Sequence, residues 1–373
     1  LRALGTQLRG QAALRLEQRR LISRWCERES VPAGPRWQGT LAVDAVHYAR
    51  TIDRECAGTA RVFLDRNAGV GGIICQRRYF EMLVQERETS AARFVPAEDG
   101  VTEVMLELAK KYKSRELHTI AKFDTNGIYG NVYALPKDKD KQLQKFRPIQ
   151  PNNRAPMAKL QNVLGRAMEF LVLEIGDSFT CGGTQLTVEH IRTFNEGSRG
   201  AKQVLGFTFD VKDQFSNVEH QVAKVAIEKT IEEGFALRQA AEALLVRRRG
   251  ARGVRWWQRG LRGATYTRVG PKKMLDGMLL SLTNNFVFIA GVLVRQTRGV
   301  GMGGSDSPST ALCVCAYGER EFTRSRQCDE RYIKFIRQAD DCLALVRCFS
   351  GNRREWRRLR AELRRYRDSC YLQ

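Results

Sequence analysis

The chain has 373 residues, with 63 Lys and Arg against 41 Asp and Glu, a net charge of +22. Its 43% apolar content is ample for a packed core and excludes a disordered tail, and the length allows roughly two or three domains. So basic a chain points to a polyanionic partner, nucleic acid before membrane. The longest apolar stretch, residues 277–294, is broken by Ser281, Thr283, Asn284 and Asn285, so neither a bilayer-spanning helix nor a membrane partner is expected. Ten scattered cysteines without a CxxC pair, and four scattered histidines, argue against a disulfide framework and a zinc site and for a reducing, intracellular compartment. The chain starts at Leu1 and ends in Ser-Cys-Tyr-Leu-Gln, and is expected to be a fragment of a longer reading frame.

In chain order, residues 1–60 read as basic helices, a solvated N-terminal extension broken by Pro32 to Gly39. Residues 61–200 mix short strands and helices. Gly69 to Cys75 reads as a turn into a strand, and Leu160, Val163, Leu164, Met168 and Leu171 recur at helical spacing. Leu135-Pro-Lys137 and Lys145-Phe-Arg-Pro-Ile149 place two cations at strand-like sites; Lys137 and Arg147 either clamp a triphosphate or are surface charges of a hairpin. A third region, residues 201–373, contains an insertion over 247–273 with ten Arg or Lys, no acid, and Trp256, Trp257 and Tyr266 interleaved. Such a composition tracks a phosphate backbone and stacks on bases, with Arg247, Arg248, Arg249, Arg252, Arg255, Trp256 and Arg259 as the nucleic-acid ligands; a merely soluble loop is the alternative.

The chemistry concentrates in three acids. The β-prone run Val204 to Phe209 leads into Asp210, and Tyr332 to Ala339 leads into Asp340-Asp341, followed by the apolar Cys342 to Val346. The second pattern predicts a hairpin with two carboxylates at its tip. Adjacent acids repel and are costly to bury unless a cation lies between them. A third carboxylate from a neighbouring strand completes an oxygen-rich site suited to Mg²⁺, and two such ions bridged by acids drive in-line phosphoryl transfer. A solvated acidic turn is the alternative, which the apolar strands on both sides argue against. Between the acids, Arg298 to Ala311 is a glycine-rich loop opening a helix, with Ser307 as N-cap and Pro308 in the first turn. It lacks the lysine of a Walker loop.

In this order the pieces resemble a reverse transcriptase. The segments around Lys137 and Arg147 are similar to the paired fingers motifs, Phe209 to Phe215 to motif A, Gly299 to Pro308 to motif B, and Arg337-Gln-Ala-Asp-Asp341 to motif C. Asn284 to Phe288, Gln296, Gly299-Val-Gly-Met-Gly303, and Asp65-Arg66-Asn67 ahead of Tyr79 bring the likeness closest to the Penelope-like element reverse transcriptases, relatives of telomerase, over roughly residues 61–373. The resemblance implies an α+β right-hand polymerase palm and fingers, an antiparallel palm sheet with packed helices, and a thumb outside this chain. It implies RNA-directed DNA synthesis by a retroelement enzyme in the nucleus, with an RNA template, a DNA primer or RNA–DNA hybrid, dNTPs, and two Mg²⁺ (or Mn²⁺). Asp210, Asp340 and Asp341 would be the catalytic acids and, with the Val211 carbonyl, the metal ligands. Lys137 and Arg147 would face the triphosphate, and Gly303 and Ser307 would lie near template and nucleotide. Phe215, five residues after Asp210, would be the steric gate that excludes a 2′-hydroxyl; an ordinary core aromatic is the other reading. Gln338 stands where motif C usually has an aromatic, and Asp213 is an extra acid in motif A. An RNA-dependent RNA polymerase and a decayed, nucleic-acid-binding relic remain as alternatives. Trp356, Leu359, Leu363 and Tyr366 predict a final helix packed on the sheet, with arginines outward.

Overall fold

The computed structural model describes residues 59–65, 67–89, 93–137, 145–211, 214–238, 241–248, 253–258, 265–325 and 330–369, so almost all of the predicted N-terminal extension lies outside the described residues. The described residues divide into two units, one holding those up to Glu86 together with those of Tyr133–Pro148, the other the remaining described residues.

In the first unit β1 (Thr59–Leu64) pairs antiparallel with β2 (Asn67–Cys75). The run Gly69 to Cys75 is therefore strand throughout, and the turn precedes it, with Leu64 opposite Asn67. Helix α1 (Gln76–Thr89) follows. Strands β3 (Tyr133–Pro136) and β4 (Phe146–Ile149) pair with each other, as the Leu-Pro-Lys and Arg-Pro-Ile segments predict. Val62, Ile74, Met82 and Ala134 form the unit's small core, and the Tyr79 hydroxyl accepts the Ala134 N–H at 2.9 Å.

The second unit is built on helices α2 (Ala158–Ile175), α3 (Thr184–Glu196), α4 (His220–Ala236), α5 (Pro271–Thr283) and α6 (Ser307–Arg324) and three sheets of three strands. The apolar stripe of α2, Leu160, Val163, Leu164, Ala167, Met168 and Leu171, is almost wholly buried against α4, α5 and α6. Burying each of the Leu, Val and Met side chains stabilises the fold by about 1.5–3 kcal/mol. The apolar stretch 277–294 is split between α5 and the hairpin β9 (Phe286–Ile289) and β10 (Val292–Gln296), and β10 also pairs with the short strand Phe94–Pro96. Among the described residues no helix is long and apolar enough to cross a membrane.

The sheet that carries the acids runs β11 (Ile333–Gln338), β12 (Asp341–Cys348), β5 (Gln203–Asp210), all antiparallel. Its two faces are covered differently. Ile333, Phe335, Cys342, Ala344, Val346 and Cys348 pack with α6 and the last helix, α7 (Arg353–Ser369), through Leu359, Leu363 and Tyr366. Ile336, Leu343 and Leu345 pack with Phe194 and Ile191 of α3. The predicted α7 thus forms and covers the sheet, held by an aromatic cluster in which Tyr366 lies 4.2 Å from Phe335 and 5.3 Å from Phe322, centroid to centroid.

The turn between β11 and β12 holds two residues, Ala339 and Asp340, since Gln338 pairs with Asp341. Ala339 takes φ 56°, in the left-handed region, where a Cβ costs roughly 1–2 kcal/mol. Glycine removes that penalty but adds freedom to the unfolded chain. Ala339→Gly is expected to raise stability by about 0.5 kcal/mol, read as a higher urea midpoint; a lower midpoint would show that the methyl group packs productively in the turn.

Candidate active site

β5 ends at Asp210 and β12 begins at Asp341, and the register sets the two directly opposite one another. Directly opposed residues of an antiparallel pair lie on the same face. Asp340 occupies the adjoining turn, where its carbonyl accepts the Val211 N–H at 3.0 Å. The three acids, from segments 130 residues apart in sequence, therefore meet at one end of one sheet. Asp210 and Asp341 are exposed, Asp340 is half-buried, and Val211 is buried. Like charges so placed repel unless a cation lies between them. An all-oxygen donor set of this kind suits a hard divalent cation, although among the described residues no group of three or more His, Cys, Asp or Glu is already disposed to hold a metal ion.

Directly beneath the turn lies a charged pair the sequence reading misses. Arg337 and Glu319 are 1% and 0% exposed, with Nε 2.5 Å from Oε1. Arg337 Nη2 also donates to Glu319 Oε2 at 3.2 Å and to Thr180 Oγ1 at 2.6 Å, and Nη1 donates to the Ala339 carbonyl at 2.9 Å. Glu319 in turn accepts the Phe179 N–H at 3.0 Å and the Tyr366 hydroxyl at 3.4 Å. Burial opposes the guanidinium charge, but the Glu319 carboxylate more than offsets it, and the Arg337 pKa is raised. The pair ties α6, α7 and the segment before α3 to the backbone of the acid turn. Its signal was present in the sequence: strand alternation puts Arg337 on the face of Ile333 and Phe335, and helical spacing puts Glu319 between Cys315 and Phe322.

The glycine-rich loop is pinned from several sides. Gly299, at φ 82°, donates to Val218 O at 2.7 Å, and Val300 donates to Phe215 O at 2.7 Å. Gly303, at φ 129°, lies so close to the Gln150 carbonyl that a Cβ would collide with it, while Gln150 N donates to Met302 O at 2.7 Å. α6 starts at Ser307, one residue earlier than the sequence pattern implies, so Asp306 and not Ser307 is its N-cap. The Asp306 carboxyl makes no cap hydrogen bond; it turns inward and accepts from Ser281 Oγ at 2.5 Å, and Ser281 Oγ accepts from Gln161 Nε2 at 2.9 Å. Burial pushes the Asp306 carboxyl up, against the Ser281 hydrogen bond. Ser307 itself is 5% exposed. The Phe215 ring is half-buried and packs on the main helical core, so it serves as a core aromatic on at least one side. Asp213 lies outside the described residues.

In the first unit, Arg147 forms an ion pair with the buried Asp65, Nη1 to Oδ1 3.0 Å, and Lys137 is exposed at the end of β3. The Asp65 N–H donates to Pro136 O at 2.9 Å, which fixes the carboxylate at this edge. The predicted triphosphate clamp thus has one arm already paired.

The basic insertion folds into a small antiparallel sheet of β6 (Leu244–Arg247), β7 (Val254–Trp256) and β8 (Tyr266–Val269), while Arg249, Arg252 and Arg259 lie outside the described residues. Arg248 and Arg255 are exposed, Arg248 bonded to Thr267 Oγ1 at 2.7 Å and Arg255 stacked 4.5 Å over the Tyr266 ring; Arg247 is half-buried. Trp256 is turned the other way. Its indole donates to Glu174 Oε1 at 3.2 Å and its ring packs edge-on against Phe170 and Phe235. This half-buried side chain anchors the sheet to the helical core through those contacts.

The sequence matches no family model and no curated protein. Solved structures do match the fold. Apo telomerase from Candida tropicalis superimposes with a TM-score of 0.59 at 11% identity, over 96% of this chain and 60% of that one. Telomerase from Candida albicans in complex with the TWJ fragment of telomeric RNA gives 0.59 at 12% identity, over 87% and 50%. A C. tropicalis telomerase truncated from its C-terminal domain gives 0.56 at 12% identity, over 85% and 57%. The chain therefore has a reverse-transcriptase-like fold, mixed helix and antiparallel sheet, and spans between about half and three fifths of the length of these telomerases.

Proposed function

We propose that the chain is the palm and fingers of an RNA-directed DNA polymerase of a retroelement, in which the acid sheet is the palm and the first unit belongs to the fingers. The observation that carries this reading is the strand register that sets Asp210 opposite Asp341 with Asp340 in the adjoining turn. Asp210, Asp340 and Asp341, with the Val211 carbonyl, would hold Mg²⁺. Such ions, when bound, would supply a lower pKa for an attacking hydroxyl and stabilisation of a leaving oxygen. The primer 3′-hydroxyl attacks the α-phosphorus, and pyrophosphate leaves. Lys137 and Arg147 of the first unit would bind phosphate oxygens, Arg147 as a donor whose orientation Asp65 fixes. The glycine loop presents backbone at the templating pair, with Gly303 and Ser307 at its end.

Primer extension on an RNA template with Mg²⁺, comparing dNTPs with NTPs, tests this reading. Extension with dNTPs alone is expected. Phe215→Ala is expected to raise NTP use by about 10- to 100-fold relative to dNTPs, the size of a lost steric discrimination. Extension with NTPs by the unaltered chain, indifferent to Phe215→Ala, would assign it to the RNA polymerases. Tight binding of primer–template without any extension, by a protein that also carries the thumb, would favour the relic.

A further inference from the structure

The outer face of α7 is a row of arginines that the polymerase reading leaves without a task. Arg353, Arg357, Arg360, Arg364 and Arg367 recur at intervals of four, three, four and three residues and are all exposed. At 1.5 Å per residue they form a straight stripe about 21 Å long on one side of the helix. The first four have no carboxylate partner among the described residues, while Arg367 pairs with its neighbour Asp368 at 2.9 Å. The helix's two other acids are turned away from the stripe. Glu362 is 1% exposed, and Glu355 accepts five hydrogen bonds from residues 348–351, at 2.6–3.1 Å. Burial opposes the Glu355 charge, but these donors bring its pKa down to about 2.

The helix that carries the stripe is held in place. Its opposite face is fixed by Leu359, Leu363 and Tyr366 in the core, and its first turn is fixed by Glu355. With no apolar face free, the helix has nothing to insert into a bilayer. Guanidinium groups set in a straight row on a fixed helix find their best complement in an equally regular row of phosphates, a duplex and not a flexible strand. The row sits on the helix that covers the Phe335 and Ala344 face, whereas alternation along β12 puts Asp341 on the face of Leu343 and Leu345. It therefore lies across the sheet from the Asp210–Asp341 pair.

We propose that this arginine stripe is a second nucleic-acid site, which docks the backbone of double-helical RNA away from the site of synthesis. The choice of RNA rests on the polymerase reading, in which RNA is the template; the docking itself requires no catalysis.

Binding of a fluorescently labelled RNA duplex of about two helical turns to the full chain, titrated over a range of salt concentrations, tests the proposal in an Asp340→Asn background, where polymerase failure cannot be mistaken for docking failure. Replacing Arg357, Arg360 and Arg364 by Gln together is expected to weaken binding by at least about tenfold and to lower the slope of log K against log salt by about 2 to 3, near 0.9 per lost phosphate contact. Arg360→Glu alone, a single change at an exposed position, is expected to lower the slope by about 1. The triple replacement by Lys should keep most of the slope. An unchanged affinity and slope in both the triple Gln and the Arg360→Glu variants would overturn the proposal. So would a loss confined to phosphatidylserine vesicles with duplex RNA binding intact.

Discussion

Replacing Asp340 by Asn is expected to lower primer extension at least about a thousandfold, equivalent to about 4 kcal/mol of barrier, with primer–template affinity changed by no more than about threefold. Asn keeps the shape of the side chain, and the Val211 N–H bonds to the Asp340 main-chain carbonyl, so the turn is undisturbed. What is lost is one negative charge beside Asp210 and Asp341. The same charge is a liability in the protein without cations, where three carboxylates meet at one end of a sheet. Asp340→Asn is therefore expected to match or exceed the parent in stability while losing activity. Thermal melting in EDTA beside primer extension in Mg²⁺ reads both. Undiminished extension would remove the acids from the chemistry.

Glu319→Ala is expected to cost about 3–5 kcal/mol of stability, the usual result of stripping a buried charge of its partner. It leaves the Arg337 guanidinium at 1% exposure with no anion, and it orphans the Phe179 N–H. Urea denaturation measures the loss. The informative variant is the double one. Glu319→Leu with Arg337→Met replaces the pair by apolar groups of similar volume, and such replacements often restore stability or exceed it. Extension by the double variant is nevertheless expected to stay at least about tenfold below the parent, because the Ala339 carbonyl and Thr180 Oγ1 have lost the donor that holds the acid turn. Arg337 is thus a positioning residue. Full recovery of both stability and extension would reduce the pair to packing.

The strands and helices around the acids were legible because their apolar residues follow the periods of 2 and 3.6, and Leu359, Leu363 and Tyr366 fall on the buried face of α7 as the pattern requires. Which acid faces which was not legible. Register is a tertiary property, set by packing on two unlike faces, and nothing local to Asp210 says that it opposes Asp341 and not Asp340. The orientation of Trp256 was not legible for a related reason. A basic and aromatic segment states what is present but not which way it points, and here the ring faces Phe170 and Phe235. The helix start lies one residue earlier than the pattern implies, and the Asp306 side chain at the cap position is engaged from the inside by Ser281. The Arg337–Glu319 pair escaped because a charged residue on an inward face is readable only once its partner, 18 positions away in sequence, is sought.

The cysteines give the chain an internal clock. Six described thiols are unpaired, and Cys313, Cys315, Cys342 and Cys348 lie within the cores on either side of α6 and the acid sheet. Burial pushes the Cys313 thiol up to about 11, with Thr230 3.2 Å away opposing the shift. A thiol so placed is inert toward alkylating reagents until its surroundings open. The order in which these four positions become labelled therefore records the order in which the helical core and the acid sheet come apart, with no probe attached and no residue changed.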